Sequence, residues 1–424
     1  MRVMVIGSGG REHALVWALA RSPRLTKLFC APGNAGTARL ATNLPVDLTD
    51  LDALMGLAQQ NAIDLTVVGP EAPLCAGIVD RFQAAGLRIF GPSAAAARIE
   101  GDKAYAKHLM KQASVPTAEG RIFRNYQSGR DFIATRETGV VVKAAGLAAG
   151  KGVFVCPDPA DALLALENIM VNRIFGDTGE TVVVEELLKG QELSVIALAS
   201  GRTIYVFETA QDHKPIGDGD TGPNTGGMGA YSPAPIATPE VMARVEADVL
   251  VPIVDALRND GAPFCGVLYA GLMLTPGGPK VLEFNCRFGD PETQPLLMRM
   301  RGDLLELLAA VVDDRLEDVQ IDWDPRPAVC VVMAAGGYPG KYETGHVIEG
   351  LDRVEQVPDV CVFHAGTREV EHMTVTAGGR VLGVTALGDD LATAQRRAYE
   401  AVGMIRFQGA YHRRDIAAKA LGGP

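Results

Sequence analysis

A glycine-rich loop lies between two apolar runs in the stretch 140-VVVKAAGLAAGKGVFVC-156. The loop has one residue too few before Gly150-Lys151 for a Walker phosphate loop, and no Ser or Thr follows the lysine. The run 153–155 also continues as a strand, where a Walker loop would begin a helix. The stretch therefore predicts a β-hairpin flap that closes over nucleotide phosphates, with Lys143 and Lys151 as point charges, or else a flexible surface hairpin.

Upstream of this hairpin, short apolar runs alternate with helical patterns. Strands buried on both faces and separated by helices are typical of a parallel α/β sheet, so we predict an N-terminal α/β domain over residues 1–101. The predicted strands are residues 3–6, 25–30, 63–68 and 87–90.

Downstream, the pattern predicts an α+β core over residues 102–325, with a flap subdomain over about 122–190. A proline- and aspartate-rich segment, 321–327, predicts a linker to a C-terminal mixed α/β domain over residues 326–424. The fold class is thus α/β multidomain. The predicted helices are 103–113, 239–260, 303–314 and 391–404, and the predicted strands of the core are 140–143, 153–156, 182–186, 193–199, 203–209, 266–274 and 280–284.

Composition excludes several classes of protein. The chain has 424 residues, a net charge of −11 and no basic stripe, which argues against nucleic acid as a partner. No stretch is long and apolar enough for a membrane span, and the first apolar run is too short for a signal peptide. Scattered cysteines without a CxxC pair favour a reducing cytoplasm: Cys30, Cys75, Cys156, Cys265, Cys286, Cys330 and Cys361.

The first glycine cluster of the chain, Gly7-Ser8-Gly9-Gly10-Arg11-Glu12, follows the first predicted strand. Glu12 replaces the third glycine of a dinucleotide fingerprint, and the second strand ends in Ala31-Pro32 instead of an acid. NAD binding is therefore disfavoured. The cluster predicts either a site for the phosphate of another ligand, at a helix N-terminus, or a structural tight turn.

The segment 280-KVLEFNCRFGD-290 carries the strongest chemical signal. Side chains alternate along a strand, so Glu283, Asn285 and Arg287 are predicted on one face and Leu282, Phe284 and Cys286 in the core. Two neighbouring oxygen ligands suit Mg²⁺ on nucleotide phosphates, and an arginine beside them suits a phosphoryl group or a carboxylate. The alternative is the solvated face of a half-exposed strand.

The run 212–233 has six glycines in twenty-two residues, too many for a regular element. A loop of this length inside a compact domain is usually functional, so we predict that Asp212 meets a substrate ammonium and Lys214 a phosphate. His213 lacks a metal-ligand or nucleophile partner in the sequence and is interpreted as a packing residue. Glu185, Glu186 and Glu192 lie at strand ends, where carboxylates can read adenine or ribose in a cleft, or remain solvated.

Eight motifs together resemble the phosphoribosylamine–glycine ligase family, also called glycinamide ribonucleotide synthetase, of the ATP-grasp superfamily. The resemblance covers nearly the whole chain. The motifs are GSGGREHAL from Gly7, APGNAG from Ala31, VGPEAPL from Val68, GLAAGKGV from Gly146, DHK to GAYSP from Asp212, EFNCRFGDPETQ from Glu283, MAAGGYPG from Met333 and VFHAGT from Val362.

The resemblance implies a pre-ATP-grasp N-terminal domain, a two-part ATP-grasp core and a mixed C-terminal domain. It also implies that ATP converts glycine to glycyl phosphate, which the amine of 5-phosphoribosylamine attacks, in de novo purine biosynthesis. The implied metal is Mg²⁺, or Mn²⁺ in its place, and the implied state is a cytoplasmic monomer without a nucleic-acid or membrane partner.

The resemblance assigns roles to individual residues of this chain. Glu283 and Asn285 resemble the metal ligands, and Asp212, Arg287 and Asp290 the catalytic contacts to glycine and the acyl phosphate. The ATP set is Lys103, Lys143, Gly150, Lys151, Gly152, Glu185, Glu186, Leu188 and Glu192. The set for phosphoribosylamine is Gly9, Gly10, Asn34, Lys214, Asn224, Gly226 and Gly227.

Three positions depart from the family pattern. Ala145 stands in place of an aspartate before the flap, Pro215 in place of an arginine after Lys214, and Gln191 in place of a glutamate. Two alternatives to the ligase remain open: another ATP-grasp carboxylate–amine ligase, or a nucleotide sensor without catalysis, which the missing aspartate and arginine favour. An NAD-dependent oxidoreductase depends on the first glycine cluster alone.

Overall fold

The computed structural model describes residues 1–148 and 151–422. Its first hundred residues form a five-stranded parallel sheet, in the order β3-β2-β1-β4-β5, flanked by helices. The predicted N-terminal α/β sheet is thus confirmed, and β3, with only two residues, was too short to detect. The elements are β1 (Arg2–Gly7), α1 (Gly10–Leu19), β2 (Lys27–Pro32), β3 (Thr42–Asn43), α2 (Leu51–Gln60), β4 (Leu65–Val68), α3 (Glu71–Cys75), α4 (Ile78–Ala84), β5 (Ile89–Phe90) and α5 (Ala94–Gly101).

A four-stranded antiparallel sheet, in the order β6-β9-β7-β8, forms next and is covered by two helices. We call it the flap sheet. Its strands β7 and β8 pair as a hairpin around the glycine-rich loop, which confirms that a strand and not a helix follows the loop. The elements are α6 (Lys103–Gln112), β6 (Gly120–Phe123), α7 (Tyr126–Ala134), β7 (Val140–Ala144), β8 (Val153–Cys156), α8 (Pro159–Met170) and β9 (Val182–Glu186).

A second antiparallel sheet, the central sheet, faces the flap sheet and has the order β11-β10-β16-β17. A π-helical segment, Glu246–Leu250, joins its two flanking helices α9 and α10. The elements are β10 (Gln191–Ser200), β11 (Thr203–Val206), β12 (Gln211–Asp212), β13 (Pro215–Gly217), β14 (Thr221–Asn224), β15 (Gly229–Ser232), α9 (Pro239–Val245), α10 (Val251–Asn259), β16 (Cys265–Thr275), β17 (Gly278–Asn285), α11 (Thr293–Arg299), β18 (Met300–Arg301), α12 (Leu304–Val312) and β19 (Asp322–Trp323).

The C-terminal sheet is also antiparallel, in the order β12-β15-β20-β24-β21, with α14 packed on β20 and β24. Two of its strands, β12 and β15, come from the run 212–233 and its flank. The prediction that this run contains no regular element is therefore wrong: its glycines separate four short strands. The remaining elements are β20 (Ala328–Ala334), α13 (Leu351–Val354), β21 (Val360–His364), β22 (Thr367–Val370), β23 (Met373–Thr376), β24 (Arg380–Leu387) and α14 (Leu391–Met404).

The segment 321–327, predicted as a linker, is tied to the central part of the chain. Its β19 pairs with β18, and the ring of Trp323 packs edge-on against Phe207 at 5.4 Å. Asp324 is buried and pairs with Arg326 at 2.9 Å. The segment connects two sheets but is ordered by these contacts.

None of the helices formed by residues 1–148 and 151–422 combines the length and the apolar character needed to cross a bilayer. The apolar side chains of the N-terminal, central and C-terminal sheets pack into shared clusters. One cluster runs from Met4 and Phe29 through Leu268 to Val384 and Ile405, so the N-terminal, central and C-terminal sheets share a continuous core.

Two buried histidines join the N-terminal and C-terminal sheets. The backbone N–H of His364 donates to Nδ1 of His13 at 2.8 Å, and the two rings pack edge to face. Burial lowers the pKa of His13 to about 3 and that of His364 to about 4. Both rings are therefore neutral in the folded protein at pH values where an unfolded chain already protonates them.

Acid should weaken the fold through this pair. The unfolded state binds more protons below about pH 6.5, so the unfolding free energy falls as pH drops, by about 1 kcal/mol for each histidine at about pH 5.5. Urea unfolding of the wild type and of His13→Asn at about pH 7.5 and about pH 5.5 tests this. The variant should lose less stability on acidification, whereas His372→Asn, at a side chain 99% exposed, should match the wild type.

Candidate active site

A deep cleft opens between the flap sheet and the central sheet, with α6 and the segment 212–226 on its walls. It holds about 1650 Å³ of space, including its open mouth. Fifteen of the residues predicted from the sequence line it: Lys103, Lys143, Gly152, Glu185, Glu186, Leu188, Glu192, Asp212, Lys214, Asn224, Gly226, Glu283, Asn285, Arg287 and Asp290. Among residues 1–148 and 151–422, five predicted site residues do not line this cleft: Gly9, Gly10, Asn34, Lys151 and Gly227. Gly150 lies outside the described residues.

Strand β17 brings Glu283 and Asn285 to the same wall of the cleft, as predicted. A bulge alters the alternation just before them: Gly271 pairs with Glu283 but Leu272 pairs with Val281, so Leu282 has no partner in the ladder. Leu282 therefore lines the cleft, and its predicted core position is wrong. The bulge also directs the Leu282 carbonyl at the Lys143 ammonium, which donates to it at 2.9 Å.

Glu283 is a carboxylate among cations. Burial alone would raise its pKa, but the attraction of Lys214, Lys143, Lys103 and Arg287 outweighs burial and lowers the pKa. Within residues 1–148 and 151–422, no donor lies within hydrogen-bond distance of its oxygens. The result is an ionised carboxylate whose oxygens are directed at the cleft.

Lys143 is held by a buried ion pair. Glu185 pairs with Lys143 and with Lys107, each at 2.7 Å, and its side chain is 5% exposed. Both oxygens of Glu185 are thus engaged by lysines, so this carboxylate positions the two cations. Lys107, on α6, was missed because a lysine on an amphipathic helix has no motif of its own.

The connection between the two sheets forms the far wall of the cleft. Glu186 ends β9 and pairs with Lys280 at 2.8 Å, while one of its oxygens accepts the Glu119 N–H. Leu187 and Leu188 follow and face the cleft. This wall offers backbone groups and apolar surface, which suits a flat heterocycle.

Lys214 and Asp212 lie at the inner end of the cleft. Lys214 donates to Glu192 at 2.6 Å, and Glu192 together with Tyr269 and Asp212 raises the pKa of the ammonium although burial opposes this. Burial and the neighbouring Glu292 raise the pKa of Asp212 well above its ordinary value. Two neighbouring buried carboxyl groups, those of Asp212 and Glu292, suit a bound cation such as an ammonium.

Glu292 was missed as a site residue, although it belongs to the motif at Glu283. It is 2% exposed and accepts hydrogen bonds from the hydroxyls of Tyr269 and Ser194, the latter at 3.1 Å. These partners come from β16 and β10. Only the pairing of those strands brings them to Glu292, so no pattern in the sequence indicates this group.

Arg287 is held by acids of the N-terminal domain. It pairs with Glu71 at 3.2 Å and with Glu100 at 3.0 Å, and one of its N–H groups donates to Asn285 Oδ1 at 3.0 Å. Burial favours neutral Glu71, but Arg287 outweighs this and lowers the Glu71 pKa to about 2. The guanidinium is thereby fixed beside the predicted metal ligand.

The first glycine cluster surrounds a side chain of the protein. A methyl group built on Gly7, Gly9 or Gly69 would lie 2.4, 2.7 or 2.2 Å from an atom of Glu12. The Glu12 carboxylate accepts the Gly9 N–H at 2.5 Å and pairs with Arg11 at 2.6 Å. These glycines make room for an internal carboxylate at the helix start, which supports the interpretation as a tight turn.

Asn34 and His213 are both engaged inside the protein. The Asn34 amide donates to the carbonyls of Ser8 and His364, each at 2.8 Å, and its oxygen accepts two N–H groups of its own turn. The ring of His213 is fully buried beside Tyr231, which confirms its interpretation as a packing residue.

Arg380, at the start of β24, ties two walls of the cleft together. It pairs with Asp290 at 3.2 Å and donates to the carbonyls of Asp290 at 2.8 Å and Gly226 at 2.6 Å. Burial alone would raise the pKa of Asp290, but Arg380 and Arg11 outweigh it and lower the pKa. Arg380 was missed because it is 90 residues from Asp290 in the sequence.

Comparison with known proteins places this geometry in a family. Profiles of the phosphoribosylglycinamide synthetase N domain, ATP-grasp (A) domain and C domain match residues 1–100, 101–293 and 328–419. The chain belongs to the phosphoribosylglycinamide synthetase family. The family predicted from the sequence and its ATP-grasp fold are confirmed.

Relatives in this family match over nearly their full length. The phosphoribosylamine–glycine ligase of Rhodopirellula baltica is 53% identical over 426 residues, which is 99% of this chain and 98% of the relative. That of Vibrio parahaemolyticus is 49% identical over 424 residues, covering 99% of both chains.

Solved structures agree with the family. The crystal structure of the phosphoribosylamine–glycine ligase of Thermotoga maritima has a TM-score of 0.83 and 33% identity, and the match covers 98% of this chain and 100% of that one. The biotin carboxylase domain of a Hydrogenobacter thermophilus 2-oxoglutarate carboxylase matches with a TM-score of 0.74 and 16% identity, over 97% of this chain and 91% of that one. At that identity the likeness concerns the fold alone.

The departures from the phosphoribosylglycinamide synthetase pattern leave the cleft intact. Ala145 is buried, and its carbonyl still accepts the Lys103 N–H at 2.8 Å. The Pro215 carbonyl accepts a hydrogen bond from Arg413 at 3.0 Å, and Gln191 begins β10 at an exposed position. The lost Asp, Arg and Glu side chains are therefore not needed for the backbone geometry.

Proposed function

We propose that this chain ligates glycine to 5-phosphoribosylamine with ATP, giving glycinamide ribonucleotide, ADP and phosphate, in de novo purine biosynthesis. The full-length match to phosphoribosylamine–glycine ligases supports it. One observation carries the proposal: the same cleft contains Glu283, which is surrounded by cations, and the acidic pair Asp212 and Glu292. The first group suits phosphates and a metal, and the second suits the ammonium of an amino acid.

ATP is proposed to lie between the two sheets, with adenine against the Glu186–Leu188 wall and its phosphates near Lys103 and Lys143. Lys103 donates to the Gly146 carbonyl at 3.0 Å, which links this lysine to the flap loop. The loop and Lys151 then cover the phosphates. Closure excludes water, which an acyl phosphate intermediate requires because it hydrolyses.

Mg²⁺, or Mn²⁺ in its place, fits the oxygen donors present. Glu283 is ionised and without a hydrogen-bond donor in the described part of the chain. The Asn285 amide oxygen beside it accepts one Arg287 N–H at 3.0 Å and keeps a second lone pair. Hard cations prefer such oxygen ligands and supply charge neutralisation on nucleotide phosphates. Glu283 and Asn285 are therefore the proposed ligands.

Glycine is proposed to bind with its ammonium at Asp212 and Glu292 and its carboxylate toward Arg287. A carboxylate oxygen then attacks the γ-phosphorus, the bond to ADP breaks, and glycyl phosphate forms. Hydrogen-bond donors already held in place beside the negative charge that develops on the transferring phosphoryl group lower the activation barrier. Arg287 is such a donor, because Glu71 and Glu100 hold it in place.

Phosphoribosylamine is proposed to enter from the N-terminal sheet. Asp290 is ionised, and a methyl group built on Gly9 or Gly10 would lie 3.5 or 3.6 Å from its oxygens. Its carboxylate can accept a hydrogen bond from the amine that attacks the acyl carbon as phosphate leaves. Gly9 and Gly10 line this approach, Asn34 shapes it through its turn, and Asn224, Gly226 and Gly227 border the other side.

The deciding experiment is phosphate release with ATP, Mg²⁺, glycine and phosphoribosylamine, with product identified by mass spectrometry. Release that requires both substrates supports the proposal. Release with D-alanine or bicarbonate and none with glycine would point to another ATP-grasp ligase, and ATP binding without release to a nucleotide sensor.

The protein is proposed to be a monomer in the cytoplasm. Its seven free cysteines support a reducing compartment.

Glycine binding should depend on the protonation of Asp212. Its raised pKa means that the carboxyl takes up a proton as pH falls, and a protonated carboxyl no longer attracts an ammonium. The KM for glycine should therefore rise as pH decreases. Asp212→Asn should raise that KM roughly 10- to 100-fold and remove its pH dependence, since a hydrogen bond to a charged group is lost.

The KM for ATP in the same assays is the internal control and should stay near the wild-type value. Asp389→Asn, at an exposed aspartate, should leave the glycine KM unchanged. An Asp212→Asn enzyme with a normal glycine KM would remove Asp212 from the site.

A further inference from the structure

The hairpin of β13 and β14 interrupts the segment that carries Asp212, Lys214, Asn224 and Gly226 into the cleft. Residues 218–223 are exposed, and a two-stranded hairpin is marginal on its own. Its two ends meet beside Lys214, where the N–H and hydroxyl of Thr225 donate to the Lys214 carbonyl at 2.9 and 2.7 Å. The hairpin's position therefore sets the position of Lys214.

A cation from the C-terminal end of the chain holds this hairpin. Arg413 is fully buried, donates to the Pro215 carbonyl at 3.0 Å and pairs with Asp220 at 3.0 Å. Asp415 binds the same guanidinium at 2.6 Å and accepts the Gly219 N–H at 2.8 Å. Arg413 thus binds the start of β13 and, together with Asp415, the turn that follows it.

Neighbouring residues of the same segment make further contacts to the hairpin. The Arg414 N–H donates to Asp218 at 2.7 Å, the Tyr411 hydroxyl donates to the Ile216 carbonyl at 2.9 Å, and Lys419 pairs with Asp220. We name residues 411–419 the C-terminal clamp. The contacts of the clamp go to polar groups, so they fix geometry more than they bury apolar surface.

We propose that the C-terminal clamp is a positioning device for catalysis, in which Arg413 and Asp220 hold Lys214 in place in the cleft. The proposal rests on the proposed function, because it needs Lys214 to bind a substrate phosphate there. Arg413 donates to the carbonyl of Pro215, the residue directly after Lys214. A shift of the hairpin by about 1 Å would move the ammonium away from its target, which can cost about 100-fold in rate.

The test uses the full chain and Asp220→Asn, an isosteric change that removes the hairpin's charge. We expect kcat to fall roughly 10- to 100-fold with a melting temperature near that of the wild type. Arg413→Lys keeps a positive charge but loses the guanidinium that bonds several partners at once, so its kcat should fall at least as much. Asp389→Asn is the matched control and should keep full activity.

A double-mutant cycle separates positioning from simple stability. If the clamp acts through Lys214, Asp220→Asn should add little further loss in a Lys214→Met background. The same fold-loss in both backgrounds, or wild-type kcat in Asp220→Asn, would overturn the clamp. An inactive wild type would instead overturn the proposed function, so the two failures are distinct.

Discussion

Glu283→Ala is expected to abolish turnover while leaving the protein folded. The variant removes an ionised carboxylate that faces Lys103, Lys143 and Lys214 and is the proposed metal ligand. Charge neutralisation by a bound metal contributes several kcal/mol to a transition state, so the loss in kcat should be on the order of 10³-fold or more. Steady-state phosphate release with glycine and phosphoribosylamine measures it.

The fold should survive because Glu283 makes no hydrogen bond to the described residues and lies on the cleft wall, not in the core. Circular dichroism and thermal melting should therefore resemble those of the wild type. Glu246→Ala, at an exposed glutamate of the π-helical segment, is the matched control and should keep normal activity. Excess Mg²⁺ should restore part of the activity of Glu283→Gln, and normal turnover in Glu283→Ala would refute the metal assignment.

The sequence predicted most of the elements that build this cleft. Strands β7, β8 and β9 and helices α6 and α14 lie within one residue of their predicted bounds, because alternating or periodic apolar residues mark them directly. The same-face arrangement of Glu283 and Asn285 was also predictable, since it follows from the pleat alone. Local rules sufficed wherever a feature depended on neighbours in the sequence.

Features that depend on long-range pairing were not predictable. The four strands within 211–232 form because β12 and β15 add to the C-terminal sheet and because Arg413 holds the β13–β14 hairpin. The bulge at Leu282 depends on its register with β16. Periodicity indicates that a residue is buried but not which strand packs on it. The motif residues were therefore found, whereas ion-pair partners from distant elements were missed: Glu71, Glu100, Lys107 and Arg380.

Arg380→Met is expected to reduce kcat about 100-fold, the second-largest effect, although Arg380 does not line the cleft. The side chain joins Asp290 to the Gly226 and Gly227 carbonyls, so its removal frees two walls that face the reacting groups. It also leaves a buried carboxylate without its main cation, which is destabilising. Arg380→Lys retains the charge, so its kcat should lie between those of Arg380→Met and the wild type.

The pH profile shows whether this effect acts through Asp290. Its pKa is now lowered because the attraction of Arg380 and Arg11 outweighs burial, so without Arg380 that pKa must rise. Since the proposed role of Asp290 needs the ionised form, the acidic limb of kcat/KM should move to higher pH in Arg380→Met and less in Arg380→Lys. Arg396→Met, at an arginine 63% exposed on the same C-terminal domain, should leave the limb in place. An unmoved limb in Arg380→Met would mean that the charge of Asp290 does not govern catalysis, and the arginine would then act only by holding Gly226 and Gly227.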